Sequence, residues 1–179
     1  WSVQAVDAGL LGSEFSTEQA FSVPLFTEQT EVSLTAVLNS SAAWGDYDND
    51  GDLDIILTGE NATGSNISGI YKNNGDNSFT DSGIVLPGLS LGSVSWGDYD
   101  NDGDLDILLS GGNVTRVYRN ANNTFTDISA GLTGASASSV AWGDYDNDGD
   151  LDILLTGTYN SKLYRNDSGI FNEVAAGLT

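Results

Sequence analysis

The stretch Trp44-Gly45-Asp46-Tyr47-Asp48-Asn49-Asp50-Gly51-Asp52-Leu53-Asp54-Ile55 returns without change at residues 96–107 and again at 142–153. Such self-similarity is read before secondary structure, because a fixed period marks a repeat architecture. Each copy is followed by a weaker match: IYKNN then FT, VYRN then FTD, and LYRN then FNE. The period is 46 residues from Asp98 to Asp144 and 52 from Asp46 to Asp98. Five of the six extra residues fall between Gly59 and Tyr71 and one between Tyr71 and Phe79, positions read as loops.

Within each repeat, short apolar runs bounded by Gly, Asn, Asp and Ser read as strands, and nothing shows a helical period. In the second repeat they fall near residues 93–97, 105–110, 114–120 and 124–129. The run Leu151, Asp152, Ile153, Leu154, Leu155 is apolar on both faces after its Asp, as in a sheet covered on both sides. A four-stranded antiparallel unit of ~45 residues, buried by neighbours on both faces, describes a β-propeller blade. The expected fold is therefore all-β, with three clear blades forming a partial propeller or one closed by oligomerisation. The expected division is 1–43 as a degenerate or partial blade, then repeats at 44–92, 93–138 and 139–179, all in one propeller domain. In the first segment, Phe26-Thr27-Glu28 resembles an outer strand, and residues 6–10 echo 128–132.

The repeated loop carries a metal-binding spacing. Asp46, Asp48, Asp50 and Asp54 occupy positions one, three, five and nine, with Gly51 at six and Asp52 at seven. Ca²⁺ takes six to eight oxygens at ~2.3–2.6 Å, and a chain coiling around it offers a side chain at every second residue. Position seven would contribute its carbonyl, so the carboxylate of Asp52 need not touch the ion. An EF-hand requires a bidentate Glu at position twelve, where this chain has Leu57, Leu109 and Leu155. Five carboxylates in nine residues, three times over, repel one another unless a cation sits among them.

The run WGDYDNDGDLDILLTG, followed by a YRN strand and an outer strand such as FTD, resembles the FG-GAP or VCBS repeat. The resemblance covers residues from about 41 to 179. It implies calcium-binding blades like those of integrin α-subunit propellers, several lectins and many secreted bacterial proteins. It implies about three Ca²⁺ ions per chain, held by Asp46, Asp48, Asp50, Asp52 and Asp54; by Asp98, Asp100, Asp102, Asp104 and Asp106; and by Asp144, Asp146, Asp148, Asp150 and Asp152. It also places each loop between the first and second strands of a blade. Such propellers close a full ring, so three blades imply a piece of a longer protein or partial rings that associate.

Composition narrows the function. The 179 residues carry 26 acidic and 5 basic side chains, a formal charge of −21 that repels nucleic acid and anionic lipid. With no Cys, Met or His, thiol nucleophiles, imidazole catalysis and Cys/His metal sites are excluded. No apolar run approaches the ~18 residues of a spanning helix. A chain starting at Trp1 without a leader reads as a mature or excised segment.

The remaining motifs have plain structural readings. Trp44, Trp96 and Trp142 are expected to pack between blades, and Tyr71, Tyr118 and Tyr164 within them. Lys72, Arg119 and Arg165 are expected to compensate nearby acids. The Asn-x-Ser/Thr matches at Asn39, Asn61, Asn66, Asn113, Asn122 and Asn166 follow from composition. Variable segments 60–69, 112–116 and 158–162 are second turns on the edge opposite the Asp loops, where recognition is expected.

The expected function is a non-catalytic, secreted or cell-surface recognition and adhesion module. Its partner would be a glycan or an extracellular protein. Nucleic acid and membrane insertion are not expected, and a homo-oligomer that completes the ring is. The alternatives are an accessory propeller of a carbohydrate-active enzyme and a purely structural repeat.

Overall fold

The computed structural model describes residues 32–158 and 160–175. Of the partial blade expected at 1–43, residues 1–31 lie outside this range, and residues 37–43 belong instead to the first strand of the first described blade. The described residues form twelve strands and contain no helix long and apolar enough to cross a membrane. The first sheet contains β1 (Val37–Gly45), β2 (Asp54–Asn61), β3 (Asn66–Asn73) and β4 (Phe79–Asp81). The second contains β5 (Ser93–Gly97), β6 (Asp106–Gly111), β7 (Val114–Ala121) and β8 (Thr124–Asp127). The third contains β9 (Ser139–Gly143), β10 (Asp152–Gly157), β11 (Asn160–Asp167) and β12 (Ile170–Val174).

Each sheet is an antiparallel meander in chain order, and the described sheets do not close a ring. This is the expected all-β partial propeller. A meander places its first and third turns on one edge and its second turn on the other. The Asp loops are the first turns, so they share an edge opposite the β2–β3, β6–β7 and β10–β11 hairpins.

The six-residue surplus in the first repeat lies partly in strand. The β2–β3 ladder continues past Thr58↔Ser68 to Gly59↔Ile67 and Glu60↔Asn66, whereas the β6–β7 ladder stops at Gly111↔Val114. The segment 60–69 is therefore mostly a longer hairpin and not a loop. Asn61 closes its turn, its side-chain oxygen accepting the backbone N–H groups of Thr63 and Ser65. Likewise Val114–Arg116 belong to β7, leaving Gly112 and Asn113 as the turn.

The core lies between sheets, as apolarity on both strand faces requires. Ile56 of β2 shares a cluster with Val94, Ile107 and Leu109 of the second blade. One repeat later, Leu108 shares a cluster with Val140, Ile153 and Leu155 of the third. Successive residues of β6 thus face opposite neighbours. Tyr71, Tyr118 and Tyr164 are buried, and the Tyr71 hydroxyl donates to Thr35 Oγ1 while that of Tyr164 accepts the Thr133 N–H.

Candidate metal centres

The Asp loops are wound by their own side chains. Asp46 accepts the backbone N–H groups of Asp50 at 3.1 Å and Gly51 at 2.9 Å, and Asp50 accepts that of Asp52 at 3.0 Å. The same bonds recur from Asp98 and Asp102, and from Asp144 and Asp148. Such side-chain-to-backbone bonds hold a turn locally. They need a left-handed residue at position six, where Gly51, Gly103 and Gly149 have φ of 95°, 92° and 96°.

Position nine clamps each loop to its blade. Asp54, Asp106 and Asp152 are buried at the first residue of the second strand. Asp106 accepts the Tyr99 N–H at 3.0 Å from the loop and the Asn120 N–H at 2.8 Å from β7. Asp54 bonds Tyr47 and Asn73 in the same way, and Asp152 bonds Tyr145 and Asn166.

Carboxylate oxygens of Asp46, Asp48 and Asp50 lie within 4.8 Å of one another, as do those of Asp98, Asp100 and Asp106, and of Asp144, Asp146 and Asp152. Oxygens sharing one Ca²⁺ at ~2.3–2.6 Å sit at most about 5.2 Å apart, so all three groups are compact enough for a single ion. The donors are all oxygen, which suits a hard cation. Asp48 Oδ1 and Asp100 Oδ1 are buried and have no hydrogen-bond partner, an arrangement that costs free energy unless a cation completes it.

Electrostatics point the same way. Burial pushes Asp106 up to about 7, although its two backbone bonds work in the opposite direction. Burial also raises Asp54, and it raises Asp100 with the charge of Asp102 adding to the effect. In the third loop Asp146 is raised by desolvation and by Asp148.

Two basic residues already lean on these acids. Lys72 of β3 pairs with Asp48 and with Asp50 at 3.0 Å, and its hydrogen bond holds Asp50 low. Arg119 of β7 reaches Asp100 at 2.6 Å and Asp102 at 2.8 Å. Arg165 of β11 instead pairs with Asp167 at 2.9 Å.

The position-seven carboxylates serve the blade junctions. Asp104 accepts the Asn49 side-chain amide at 2.9 Å, and Asp150 accepts that of Asn101 at 3.0 Å. Trp96 and Trp142 pack between blades as expected, whereas Trp44 is exposed; sequence reading missed the partners that the two packed indoles meet. Tyr47 stacks on Trp96 of the next blade at 6.1 Å and 6°, and Tyr99 stacks on Trp142 at 6.2 Å and 8°. Phe125 and Phe171 complete the two aromatic groups. Asn120 and Asn166 then donate to the carbonyls of Tyr47 and Tyr99, each at 2.9 Å. The recurrence of Asn after Tyr-Lys/Arg was the visible signal for the last pair.

Three meandering blades, each with an acidic loop between its first and second strands, define a class: propeller blades built around oxygen-rich candidate cation sites. The pattern of the FG-GAP-like repeat matches residues 46–109 and 98–155, and the chain belongs to this family. No curated protein sequence matches it significantly. Among solved structures it is similar to an Agrocybe aegerita lectin described as specifically recognising non-reducing terminal N-acetylglucosamine. The two are 23% identical with a TM-score of 0.51, the match covering 74% of this chain and 37% of the lectin. The likeness confirms the fold, and this chain spans little more than a third of that lectin's length.

Proposed function

We propose that the protein is a calcium-stabilised, non-catalytic propeller module that recognises glycans outside the cell. The observation that carries the calcium reading is the threefold grouping of all-oxygen donors, with buried carboxylate oxygens of Asp48 and Asp100 lacking any other partner. Asp46, Asp48, Asp50 and Asp54 would hold the first ion, with the carbonyl of Asp52. Asp98, Asp100, Asp102 and Asp106 with the carbonyl of Asp104 would hold the second, and Asp144, Asp146, Asp148 and Asp152 with that of Asp150 the third. The ion supplies charge neutralisation and cross-links the loop; its binding free energy counts toward the folded state.

Support for a glycan partner is the sugar-recognising lectin of the same fold. The recognition surface would lie on the edge opposite the Asp loops, among the second turns and the linkers between blades. The charge of −21 disfavours nucleic acid and anionic membranes as competitors. A glycan array probed in millimolar calcium, with a parallel array in chelator, tests the reading. Binding to defined sugars only with calcium is expected. A blank array with folded, calcium-loaded protein would replace the glycan by a protein ligand.

A further inference from the structure

Both blade junctions inside the chain use the same parts. A loop tyrosine enters a socket made by the Trp and Phe of the following blade, and that Trp lies against the glycine that precedes the loop. A Cβ on Gly45 would meet Trp96 at 2.7 Å, and one on Gly97 would meet Trp142 at 2.6 Å. An Asn of the following blade then donates its side-chain amide to the tyrosine carbonyl.

The outer ends of the described blades display the two halves of this junction separately. On the first blade Trp44 and Phe79 keep the socket geometry, 6.2 Å apart against 6.0 Å for Trp96 and Phe125. Among the described residues no tyrosine fills this socket: Trp44 is 62% exposed, and a cavity of about 270 Å³ opens between it, Leu53, Asn73 and Phe79. Asn73 bonds the Leu53 carbonyl as Asn120 bonds that of Leu105, but makes no second bond to a tyrosine carbonyl. Residues 1–43 contain no tyrosine.

On the third blade the complementary half projects. Tyr145 is 46% exposed where Tyr47 and Tyr99 are 5% and 4% exposed. Leu154 is 42% exposed where its equivalents Ile56 and Leu108 are fully buried. No described residue lies within 4 Å of a Cβ built on Gly143, the position that receives a tryptophan in the other two blades.

We propose that this chain associates head to tail, with Tyr145 of one copy seated between Trp44 and Phe79 of a second copy and Trp44 lying over Gly143. The contact is heterologous, so it builds rings where the rotation closes and open chains where it does not. It repeats an interface the protein already makes twice, including the loop-to-loop bond: Asn147 of one copy would donate to Asp52 of the other, as Asn49 does to Asp104. The proposal does not depend on the glycan reading.

Light scattering across a concentration series in millimolar calcium tests it, with mass as the readout. The expected wild-type mass is at least twice that of one chain. Gly143→Leu fills open space within its own chain, so circular dichroism and melting should be unchanged while the mass falls to that of a single chain. Tyr145→Ala and Trp44→Ala should each be monomeric alone, yet their equimolar mixture should form a heterodimer, because it retains one intact knob and one intact socket. A monomeric wild type, or association that survives both Gly143→Leu and Tyr145→Ala, overturns the proposal.

Discussion

The second and third blades carry the same twelve residues from tryptophan to isoleucine, yet the structure gives them different work. In the second blade Tyr99 is a buried wedge, Leu108 belongs to an inter-blade cluster and Gly97 touches a neighbouring indole. In the third, Tyr145 and Leu154 are exposed and Gly143 has free space beside it. What stays constant is the loop itself: Asp106 and Asp152 are both buried, and each accepts one N–H from the loop and one from the third strand. The loop is therefore a local device, whereas the junction belongs to a pair of blades. In repeat proteins, stability is a sum of such intrinsic and nearest-neighbour terms.

The largest effect concerns the buried carboxylate that clamps the second loop. Without metal, Asp106 keeps its proton to about pH 7 in the folded chain, against an ordinary value of 3.8. The folded state then binds more protons than the unfolded one between these limits. Metal-free stability that is present below pH 4 is lost as pH rises through 7. A bound cation requires the ionised form and reverses the trend. Saturating calcium at a hundred times Kd stabilises by about 2.7 kcal/mol per site. Melting in calcium and in chelator from pH 4 to pH 8 should show a gap that widens steadily toward neutrality. A gap independent of pH would break the link between the buried carboxylates and the ion.

The next effect separates the blades. Tyr99→Ala empties an inter-blade socket and should cost about 3–5 kcal/mol, in line with other large aromatic truncations. Tyr145→Ala, measured in the Gly143→Leu background so that no second copy covers the site, should change stability by less than about 1 kcal/mol. Denaturant titration of both variants reads the difference directly. Equal losses would mean that the tyrosine stabilises its own loop and not the junction.

The loops and strands were legible because their signals are local. Alternating Asp residues around Gly51 state a donor spacing, and the punctuated apolar runs state the strands. The role of Tyr47 and Tyr99 was hidden, because a tyrosine between two acids reads as part of a solvated loop. Only the docked neighbour, with Trp96 or Trp142 in place, shows that the ring is buried. The longer hairpin at 60–69 was read as loop because its Asn, Ser and Gly are turn residues. The antiparallel ladder overrides that preference once Ile56 and Ile70 are anchored in the core. In the same way, the compensating role read for Lys72, Arg119 and Arg165 was legible as charge, but the choice of partner depended on one nearby residue.

That choice gives the finest contrast. Arg119 lies on Asp100 and Asp102, two of the acids assigned to the second ion, whereas Arg165 is drawn away by Asp167 at 2.9 Å. The second blade has Ala121 where the third has Asp167, so Arg119 has no equivalent alternative there. An ion entering the second loop must displace a guanidinium; one entering the third need not. The pairs are partly exposed, so the penalty is small and screened by salt. Calcium titrations of the Gly143→Leu variant, which leaves the third loop without a neighbour, followed at the backbone amides of Gly103 and Gly149 by NMR, resolve the two loops in one sample. The third loop should fill at lower calcium than the second. Arg119→Ala should tighten the second site a few-fold and leave the third unchanged, while Arg165→Ala should move neither midpoint appreciably. If Arg165→Ala tightens its loop as much as Arg119→Ala does, the diverted ion pair is not what distinguishes them. The grading would then have to come from the buried junction beside the second loop, which the third loop lacks.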